Sequence, residues 1–418
     1  MIRERQGISR RLLAGLAILV VSGLPALAAV SDCTSSGAAD PAARIAACTR
    51  MIEASQGLPG SLEFAYIKRA TARLVLKDFD GAIADYSAVI GISPKSIIAY
   101  HGRAVAWFQK GDYDHAIADF DQAIGLDPKN ARIQYSRGLV WSQKGDVLRA
   151  IADYAQAIEF DPKYVPPYIE RGLLWAGKGD NDLAIADYDK AIGLDPKSAD
   201  AYNNRGRAWA AEGDNDRAIA DYDRAISLDP KPAASYYNRG MAWARKDDSG
   251  HAIADYDQAI NLDPKYAFAY LERGVVHFYS GALPKAQADF EQAASLRPDN
   301  AYLAIWLDMA ERRGGAASHL QDAIGKLDMR KWPAPVVRML LGEQAPADIL
   351  EAAAEARNAN ARTGRLCDAN FYTAELDRLQ GHGDEAMRLY RIAVSNCPKG
   401  FTEYIAAKAA LKELGVSP

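Results

Sequence analysis

The sequence predicts an all-α protein: a right-handed α-solenoid of stacked helix-turn-helix units with helical caps at both ends. Prolines recur every 34 residues through the middle of the chain. Each 34-residue segment also repeats the same small, aromatic and acidic residues at the same positions. A fixed period of this length is typical of stacked supersecondary units, with two amphipathic helices in each. The spaced prolines are Pro94, Pro128, Pro162, Pro196, Pro230, Pro264 and Pro298.

The first element, residues 1–28, is predicted to be a secretory signal peptide. Arginines stand near its start, an apolar run follows over residues 12–24, and small residues close it at Ala26-Leu27-Ala28. A basic, an apolar and a small-residue region in this order are typical of such signals. An uncleaved membrane anchor is the alternative, but the apolar run is shorter than the roughly 18 residues that a spanning helix needs.

The export route and the mature form are predicted from two local features. The pair Arg10-Arg11 is a weak sign of twin-arginine export, so we expect the general secretory route. Cys33 follows Asp32, and an acidic residue at that place does not fit a lipid-acceptor site. We therefore expect a soluble periplasmic protein with no stable membrane insertion after the signal is removed.

The charge of the chain argues against two classes of partner. The formal net charge is -4, and removal of residues 1–28 makes it -7. An acidic chain is poorly suited to bind nucleic acid or anionic lipid surfaces, so neither is expected.

The four cysteines form two local pairs, Cys33 with Cys48 and Cys367 with Cys397. Four cysteines allow three pairings, and the two local bonds close the shortest loops. In an exported chain an even number of cysteines predicts disulfides, each stabilising by ~2–4 kcal/mol. A metal or redox site is the alternative, but no CxxC spacing or nearby histidine supports it. Residues 29–62, with one helix over 40–56, are therefore predicted to be an N-terminal cap held by the first disulfide.

Residues 63–300 are predicted to form seven 34-residue units, each with two antiparallel helices. In the fourth unit Gly172 is small where the two helices approach closely, and Asp180 can cap the second helix. Pro196 ends that helix. The repeated residues of this unit are Tyr168, Arg171, Gly172, Trp175, Gly179, Asp180, Ala184, Ile185, Ala186, Asp187, Tyr188, Ala191, Ile192, Asp195 and Pro196.

This pattern resembles the tetratricopeptide (TPR) repeat. Gly at position 8 of the unit, an aromatic residue at 11, Ala at 20, an aromatic residue at 24 and Pro at 32 carry the resemblance. The resemblance implies a solenoid whose first helices line a concave groove that binds protein or peptide partners. In particular, it implies that positions 2, 5, 6, 9, 12 and 13 face this groove.

Two charged columns and a tryptophan column run through the repeats. We predict a ladder of ion pairs between the Arg at position 7 and the Asp at position 23, which lie opposite each other across each helix pair. The alternative is an anion-binding stripe, but equal numbers of Arg and Asp neutralise each other. The tryptophans at position 11 are predicted to lie in the core, so Trp175→Ala is predicted to cost roughly 3–5 kcal/mol. The three columns are Arg69, Arg103, Arg137, Arg171, Arg205, Arg239 and Arg273; Asp85, Asp119, Asp153, Asp187, Asp221, Asp255 and Asp289; and Trp107, Trp141, Trp175, Trp209 and Trp243.

A cluster in the fifth and sixth units is the candidate binding site. Asparagine amides there can hydrogen-bond an extended peptide backbone, and an arginine can bind a carboxylate. Solvated surface without a ligand is the alternative. The candidate residues, with one tyrosine of the third unit, are Tyr135, Asn203, Asn204, Arg207, Tyr237 and Asn238.

Residues 301–418 are predicted to form a C-terminal helical region in which the 34-residue period decays. We expect helices over 302–311, from Trp332 to near Gly342, and over 346–361. A further TPR-like unit is predicted over 367–398, with Cys367 at the start of its first helix and Cys397 at the end of its second. A last helix follows over 401–414.

The C-terminal region also resembles the corresponding part of NlpI-type TPR proteins of the bacterial envelope. The segments that carry this resemblance are residues 302–307, Trp332, Val336, Val337, Leu341-Gly342, Asn370-Phe371-Tyr372 and Phe401-Thr402-Glu403-Tyr404. It implies an adaptor that presents cell-wall hydrolases to a tail-specific periplasmic protease, commonly as a homodimer. The chain departs from that family by lacking a lipidation cysteine and by having more repeats.

No catalytic constellation, cofactor motif or metal-ligand spacing occurs, so we expect neither an enzyme nor a cofactor. The predicted function is a non-enzymatic periplasmic scaffold that binds a protein or extended peptide in the groove. One alternative is a glycan- or peptidoglycan-binding component whose aromatics, such as Tyr135, Tyr237 and Phe278, stack on sugars. Another is a structural part of a secretion assembly.

Overall fold

The computed structural model describes Cys33, residues 40–54 and residues 59–417. The predicted signal peptide lies outside the described residues. Within them, regular structure comprises 22 α-helices and one short 3-10 helix, with no strand. The predicted all-α solenoid of helix-turn-helix units is confirmed. None of the described helices combines the length and the apolar character needed to cross a membrane.

The chain separates into two compact units, residues 1–174 and 175–418, which we describe in turn. In the first unit α2/α3, α4/α5 and α6/α7 pack as helix-turn-helix pairs, and α1 packs on α2. A disulfide bond joins Cys48 of α1 to Cys33, which precedes this helix in the chain. The helices are α1 (Pro41–Ala54), α2 (Pro59–Val75), α3 (Phe79–Ile92), α4 (Ile97–Lys110), α5 (Tyr113–Leu126), α6 (Ala131–Lys144), α7 (Val147–Phe160) and the start of α8 (Val165–Lys178).

The turn inside each helix pair is fixed by two neighbouring residues. Gly145 ends α6 with φ at 85°, a left-handed conformation that glycine adopts without steric cost. Asp146 follows, and its side chain accepts a hydrogen bond from the backbone N–H of Arg149 in the first turn of α7. These two local interactions reverse the chain at the same place in successive repeats.

In the second unit α10/α11, α12/α13 and α14/α15 form helix pairs, and α20/α21 form a further pair. The helices after α8 are α9 (Asn181–Leu194), α10 (Ala199–Glu212), α11 (Asn215–Leu228), α12 (Ala233–Arg245), α13 (Ser249–Leu262), α14 (Ala267–Tyr279), α15 (Leu283–Leu296), α16 (Ala301–Arg313), α17 (Leu320–Ala323), α18 (Ala334–Leu340), α19 (Pro346–Ala354), α20 (Ala359–Leu379), α21 (Gly383–Asn396) and α22 (Thr402–Glu413).

Two C-terminal boundaries differ from the prediction. The helix predicted over 346–361 is shorter in the structure: α19 ends at Ala354, and α20 begins at Ala359. Helix α20 is 21 residues long, so Cys367 lies inside it and not at its start. Asn358 fixes the true start, since its side chain accepts a hydrogen bond from the N–H of Ala361. Cys367 still bonds to Cys397, which follows the end of α21.

The core of the second unit is centred on Trp306, whose side chain is fully buried. Its ring lies 6.1 Å from Phe278 and 5.6 Å from Phe290, measured between ring centroids. Phe371 and Tyr372 of α20 lie 5.6 and 6.3 Å away on the other side. This aromatic cluster joins the last repeat to the C-terminal region.

Gly240, at position 8 of its repeat, permits the close approach of two helices. A Cβ added there would lie 2.7 Å from Cε1 of Tyr256, which is fully buried. By contrast, a Cβ added to Gly193 on the exposed side of α9 would meet no atom within 4 Å. The two glycines therefore differ only in what surrounds them.

Alanine substitutions at these two glycines are expected to have opposite effects. Gly240→Ala should lower the free energy of unfolding by about 1–2 kcal/mol, because Tyr256 has no room to move. Gly193→Ala should raise it by about 0.5–1 kcal/mol, because alanine loses less conformational entropy in a helix. Urea unfolding followed by circular dichroism measures both, and equal midpoints for the two variants would contradict the packing argument.

Candidate functional site

The predicted Arg–Asp ladder is present in every repeat for which the structure describes this pair. In the fifth repeat Nε of Arg205 donates to Oδ2 of Asp221 at 2.8 Å, and Nη2 donates to Oδ1 at 2.6 Å. Two parallel bonds of this kind form the strongest arginine–carboxylate geometry. The same pairing joins Arg69 to Asp85, Arg103 to Asp119, Arg137 to Asp153, Arg239 to Asp255 and Arg273 to Asp289.

A third contact, which the sequence analysis missed, links adjacent repeats. Nη1 of Arg205 donates to Oδ1 of Asp189 in the preceding repeat at 2.6 Å. This second aspartate stands at position 25 of the repeat. Its recurrence in the sequence could have predicted the contact between repeats. The equivalent pairs are Arg137 with Asp121, Arg239 with Asp223 and Arg273 with Asp257.

These contacts argue against the ladder as an anion-binding stripe. Each such arginine has its three nitrogen atoms engaged by two carboxylates, so little donor capacity remains for a ligand. The paired aspartates also raise the pKa of Arg205 further above its ordinary value, through the hydrogen bond to Asp221 first. The ladder is a structural element that joins the two helices of a repeat and, at Arg137, Arg205, Arg239 and Arg273, also contacts the preceding repeat.

The prediction that the tryptophan column lies in the core is met only in part: Trp107, Trp141, Trp209 and Trp243 pack against buried clusters of the repeats but are not themselves fully buried. All five tryptophans are only half-buried. Position 11 lies near the turn between the two helices, so one ring face meets a side chain of the second helix. The guanidinium of Arg217 lies 3.7 Å from the ring centroid of Trp209, and the imidazole of His251 stacks on Trp243 at 4.7 Å. These rings form cation–π and stacking contacts at the edge of the repeats.

The structure brings Asn203 of α10 and Asn238 of α12 together. Nδ2 of Asn238 donates to Oδ1 of Asn203 at 3.2 Å, so the two amides join successive repeats. Arg207, one turn after Asn203, is exposed, and the structure gives neither it nor Asn204 a hydrogen bond or ion pair among the described residues. These amides and this guanidinium retain hydrogen-bonding capacity for a ligand.

Tyr237, next to Asn238, is half-buried in an aromatic group. Its ring lies 5.0 Å from Tyr266 and 6.1 Å from Tyr256. Burial raises its pKa well above the ordinary value for tyrosine, so the hydroxyl stays neutral. Tyr135 belongs to the first unit, where its ring lies 5.3 Å from Tyr164 and 5.8 Å from Tyr154.

The last helix, α22, packs against the first helices of two repeats. Ile405 packs with Met241, Ala244 and Tyr256. Oγ1 of Thr402 donates to Oε1 of Glu272 on α14 at 2.5 Å. Nothing in the repeat period indicates this arrangement, because the partners lie 130 residues apart in the chain.

Lys408 and Lys399 contact the C-terminal ends of α12 and α10. Nζ of Lys408 donates to the carbonyl oxygen of Arg245 at 3.0 Å. The Lys399 side chain lies over Gly213, at the end of α10, where an added Cβ would come within 2.7 Å of Nζ. Ile405 and Tyr404 belong to the same packing cluster as Tyr237, so α22 borders that residue.

Two further observations bear on the alternatives. Phe278, expected to stack on sugars, is fully buried against Trp306, so it is not available to a glycan. Among the described residues no group of three or more His, Cys, Asp or Glu side chains is arranged to hold a metal ion.

Comparisons with family models find the tetratricopeptide repeat in most of the middle of the chain. Models described as "Tetratricopeptide repeat" match residues 170–231 and 131–164. A model described as "TPR repeat" matches residues 106–145 and 250–281. A search of curated proteins found no match.

Solved structures similar to this chain include two that are described as tetratricopeptide repeat proteins. MamA is 26% identical over 39% of this chain and 95% of its own, with a TM-score of 0.37. YrrB, described as a TPR protein with an unusual peptide-binding site, is 23% identical over 44% of this chain and 95% of its own, with a TM-score of 0.39. A tetratricopeptide repeat protein from Parabacteroides merdae is 19% identical over 60% of this chain and 98% of its own, with a TM-score of 0.48.

Proposed function

Because this chain is built from tetratricopeptide repeats, we propose that it is a non-enzymatic scaffold that binds an extended peptide segment of a partner protein. The binding surface lies on the first helices of the fifth and sixth repeats, α10 and α12. The observation that carries the proposal is the amide pair of Asn203 and Asn238 beside the unpaired guanidinium of Arg207.

The chemistry of this surface suits a peptide main chain. Asn203 and Asn238 use one donor and one acceptor on each other, and the remaining amide atoms can pair with the N–H and C=O groups of an extended backbone. Arg207 supplies a positive charge for a carboxylate. Tyr237 forms the apolar border of this surface together with Tyr404 and Ile405 of α22.

The location that we propose is the periplasm. Support comes from the basic and apolar pattern of residues 1–28 and from two disulfide bonds, which persist in oxidising compartments. The resemblance of the C-terminal region to NlpI-type proteins suggests the partners: cell-wall hydrolases and a tail-specific protease.

The test is affinity capture from an oxidised envelope extract with three forms of the protein. The first is the unmodified chain, and the second carries Asn203→Ala, Arg207→Ala and Asn238→Ala. The matched control carries Lys231→Ala, Lys265→Ala and Gln292→Ala, three exposed residues outside the cluster. We expect a protease or wall hydrolase to be captured by the first and third forms and at least about tenfold less by the second, which corresponds to ~1.4 kcal/mol.

Two results would contradict the proposal. Equal capture by all three forms would place the binding surface outside this cluster. Failure of every form to capture any protein would remove the support for a scaffold function in the envelope.

A further inference from the structure

A cavity of about 340 Å³ lies in the second unit between α14, α16, α20 and the start of α22. Three carboxylates line it: Glu272 of α14, Asp368 of α20 and Glu403 of α22. Each of these residues is at most 6% exposed. The site described above lies on α10 and α12, and Tyr237 belongs to both.

Each carboxylate has a neutral hydrogen-bond donor. Thr402 donates to Glu272, and the hydroxyl of Tyr372 donates to Oε1 of Glu403 at 2.7 Å. The hydroxyl of Tyr302 and Nε1 of Trp332 both donate to Oδ2 of Asp368, each at 2.7 Å. No arginine, lysine or histidine among the described residues forms an ion pair with any of the three carboxylates.

These three buried carboxylates lack a cationic partner among the described residues. A buried ionised carboxylate needs a cation, or else it takes up a proton. Burial and the neighbouring Glu403 raise the pKa of Asp368, and burial raises that of Glu403. Burial, together with the charge of Glu403, raises the pKa of Glu272 to about 7, although the hydrogen bond from Thr402 and the charge of Arg245 act in the opposite direction.

The wall and mouth of the cavity are aromatic. Phe268 and Phe401 are 40% and 38% exposed, which is unusual for phenylalanine, and Tyr237 and Tyr302 complete the lining. Aromatic faces attract organic cations, and the aliphatic part of a long basic side chain packs well against them.

One further group in the cavity wall lacks a partner. Trp306 is fully buried, lines the cavity, and has no hydrogen-bond acceptor for its Nε1. A buried donor without a partner is rare and calls for an explanation. A basic ligand in the cavity supplies the positive charge that the three carboxylates lack.

We propose that this cavity is a binding pocket for a lysine or arginine side chain of the partner peptide. The ammonium or guanidinium group pairs with Glu272, Asp368 and Glu403, and its stem lies between Phe268 and Phe401. This inference rests on the proposed function. It assumes that a peptide binds at the surface of Asn203 and Arg207, and it adds that a basic residue of the same peptide binds in the cavity.

The test uses three tripeptides as probes: acetyl-Gly-Lys-Gly-amide, acetyl-Gly-Arg-Gly-amide and the uncharged acetyl-Gly-norleucine-Gly-amide. Binding to the full chain is measured by calorimetry or ligand-observed NMR at pH 8.5. We expect a lysine or arginine peptide to bind at least tenfold more tightly than the norleucine peptide. Glu403→Gln and Asp368→Asn should each remove this preference, whereas Glu291→Gln on the exposed side of α15 should leave it unchanged.

The pH dependence provides a second readout, with its sign fixed by the raised pKa values. The affinity for the lysine peptide should increase from pH 6 to pH 8.5 as the carboxylates lose their protons. The stability of the free protein should decrease over the same range, since the folded state holds protons that the unfolded state releases above about pH 4.5. Glu403→Gln and Asp368→Asn should flatten both curves.

The outcomes separate this inference from the proposed function. Equal binding of the norleucine peptide, or an unchanged preference in folded Glu403→Gln and Asp368→Asn variants, overturns the pocket while leaving the peptide surface of α10 and α12 intact. If either amide variant fails to fold, Phe401→Ala at the exposed mouth replaces it and should weaken binding of the lysine peptide at least threefold. Tripeptide binding without any capture from the envelope extract supports the pocket and contradicts the proposed function.

Discussion

Replacing Trp306 with alanine is expected to lower the free energy of unfolding of the second unit by about 3–5 kcal/mol. The side chain is fully buried and contacts aromatic rings from three other helices, so its removal leaves a cavity that the surrounding helices cannot fill. The measurement is urea unfolding followed by circular dichroism.

Two control variants separate burial from the mere loss of a tryptophan. Trp209→Ala should cost only about 1–2 kcal/mol, because that ring is half-buried and loses its cation–π contact with Arg217 and part of its packing against Tyr222. Trp306→Phe should cost less than about 1.5 kcal/mol, since the aromatic volume is mostly kept and Nε1 has no partner to lose. If Trp209→Ala proves as costly as Trp306→Ala, the rings at position 11 are core residues after all.

Removing Asp255 is expected to lower the free energy of unfolding by about 2–4 kcal/mol, far more than removing Asp223. Both aspartates bind Arg239, at 2.6 Å each, so the comparison holds the partner constant. The Asp255 side chain is 7% exposed, whereas that of Asp223 is 56% exposed. Asp255→Ala therefore removes two hydrogen bonds from a mostly buried guanidinium and leaves it only the exposed carboxylate of Asp223.

Asp223→Ala should cost at most about 1 kcal/mol, because solvent screens an exposed pair. Salt gives an independent check. The effect of Asp223→Ala should shrink in 1 M NaCl, while that of Asp255→Ala should persist. Similar losses for the two variants, or equal sensitivity to salt, would show that burial does not set the strength of the ladder.

The repeats could be predicted from the sequence because their contacts are local and periodic. Arg239 and Asp255 are 16 residues apart, and the same spacing recurs in repeat after repeat. The position of a helical turn and the spacing of two charges across it follow from the helix period alone. The half-burial of Trp209 could not be read in this way, because it depends on which side chain of the next helix covers the ring.

The candidate site was predictable only in part. The proximity of Asn203 and Asn238 follows from equivalent positions in successive repeats. The burial of Phe278 and the carboxylate cavity do not, because both depend on how the aperiodic C-terminal helices return to the repeats. No rule of spacing relates Glu272 to Thr402, so only the folded structure brings them together.

The packing of α22 on α12 and α14 also bears on how the second unit folds. In a simple repeat array each contact joins neighbours, so folding can begin anywhere and spread stepwise. The bonds from Thr402 to Glu272 and from Lys408 to Arg245 span 130 and 163 residues. They raise the contact order and close a long loop, which slows the final folding step. During synthesis, the helices at 233–279 leave the ribosome well before the residues that cover them, so this unit reaches its native state only after its last helix has been made.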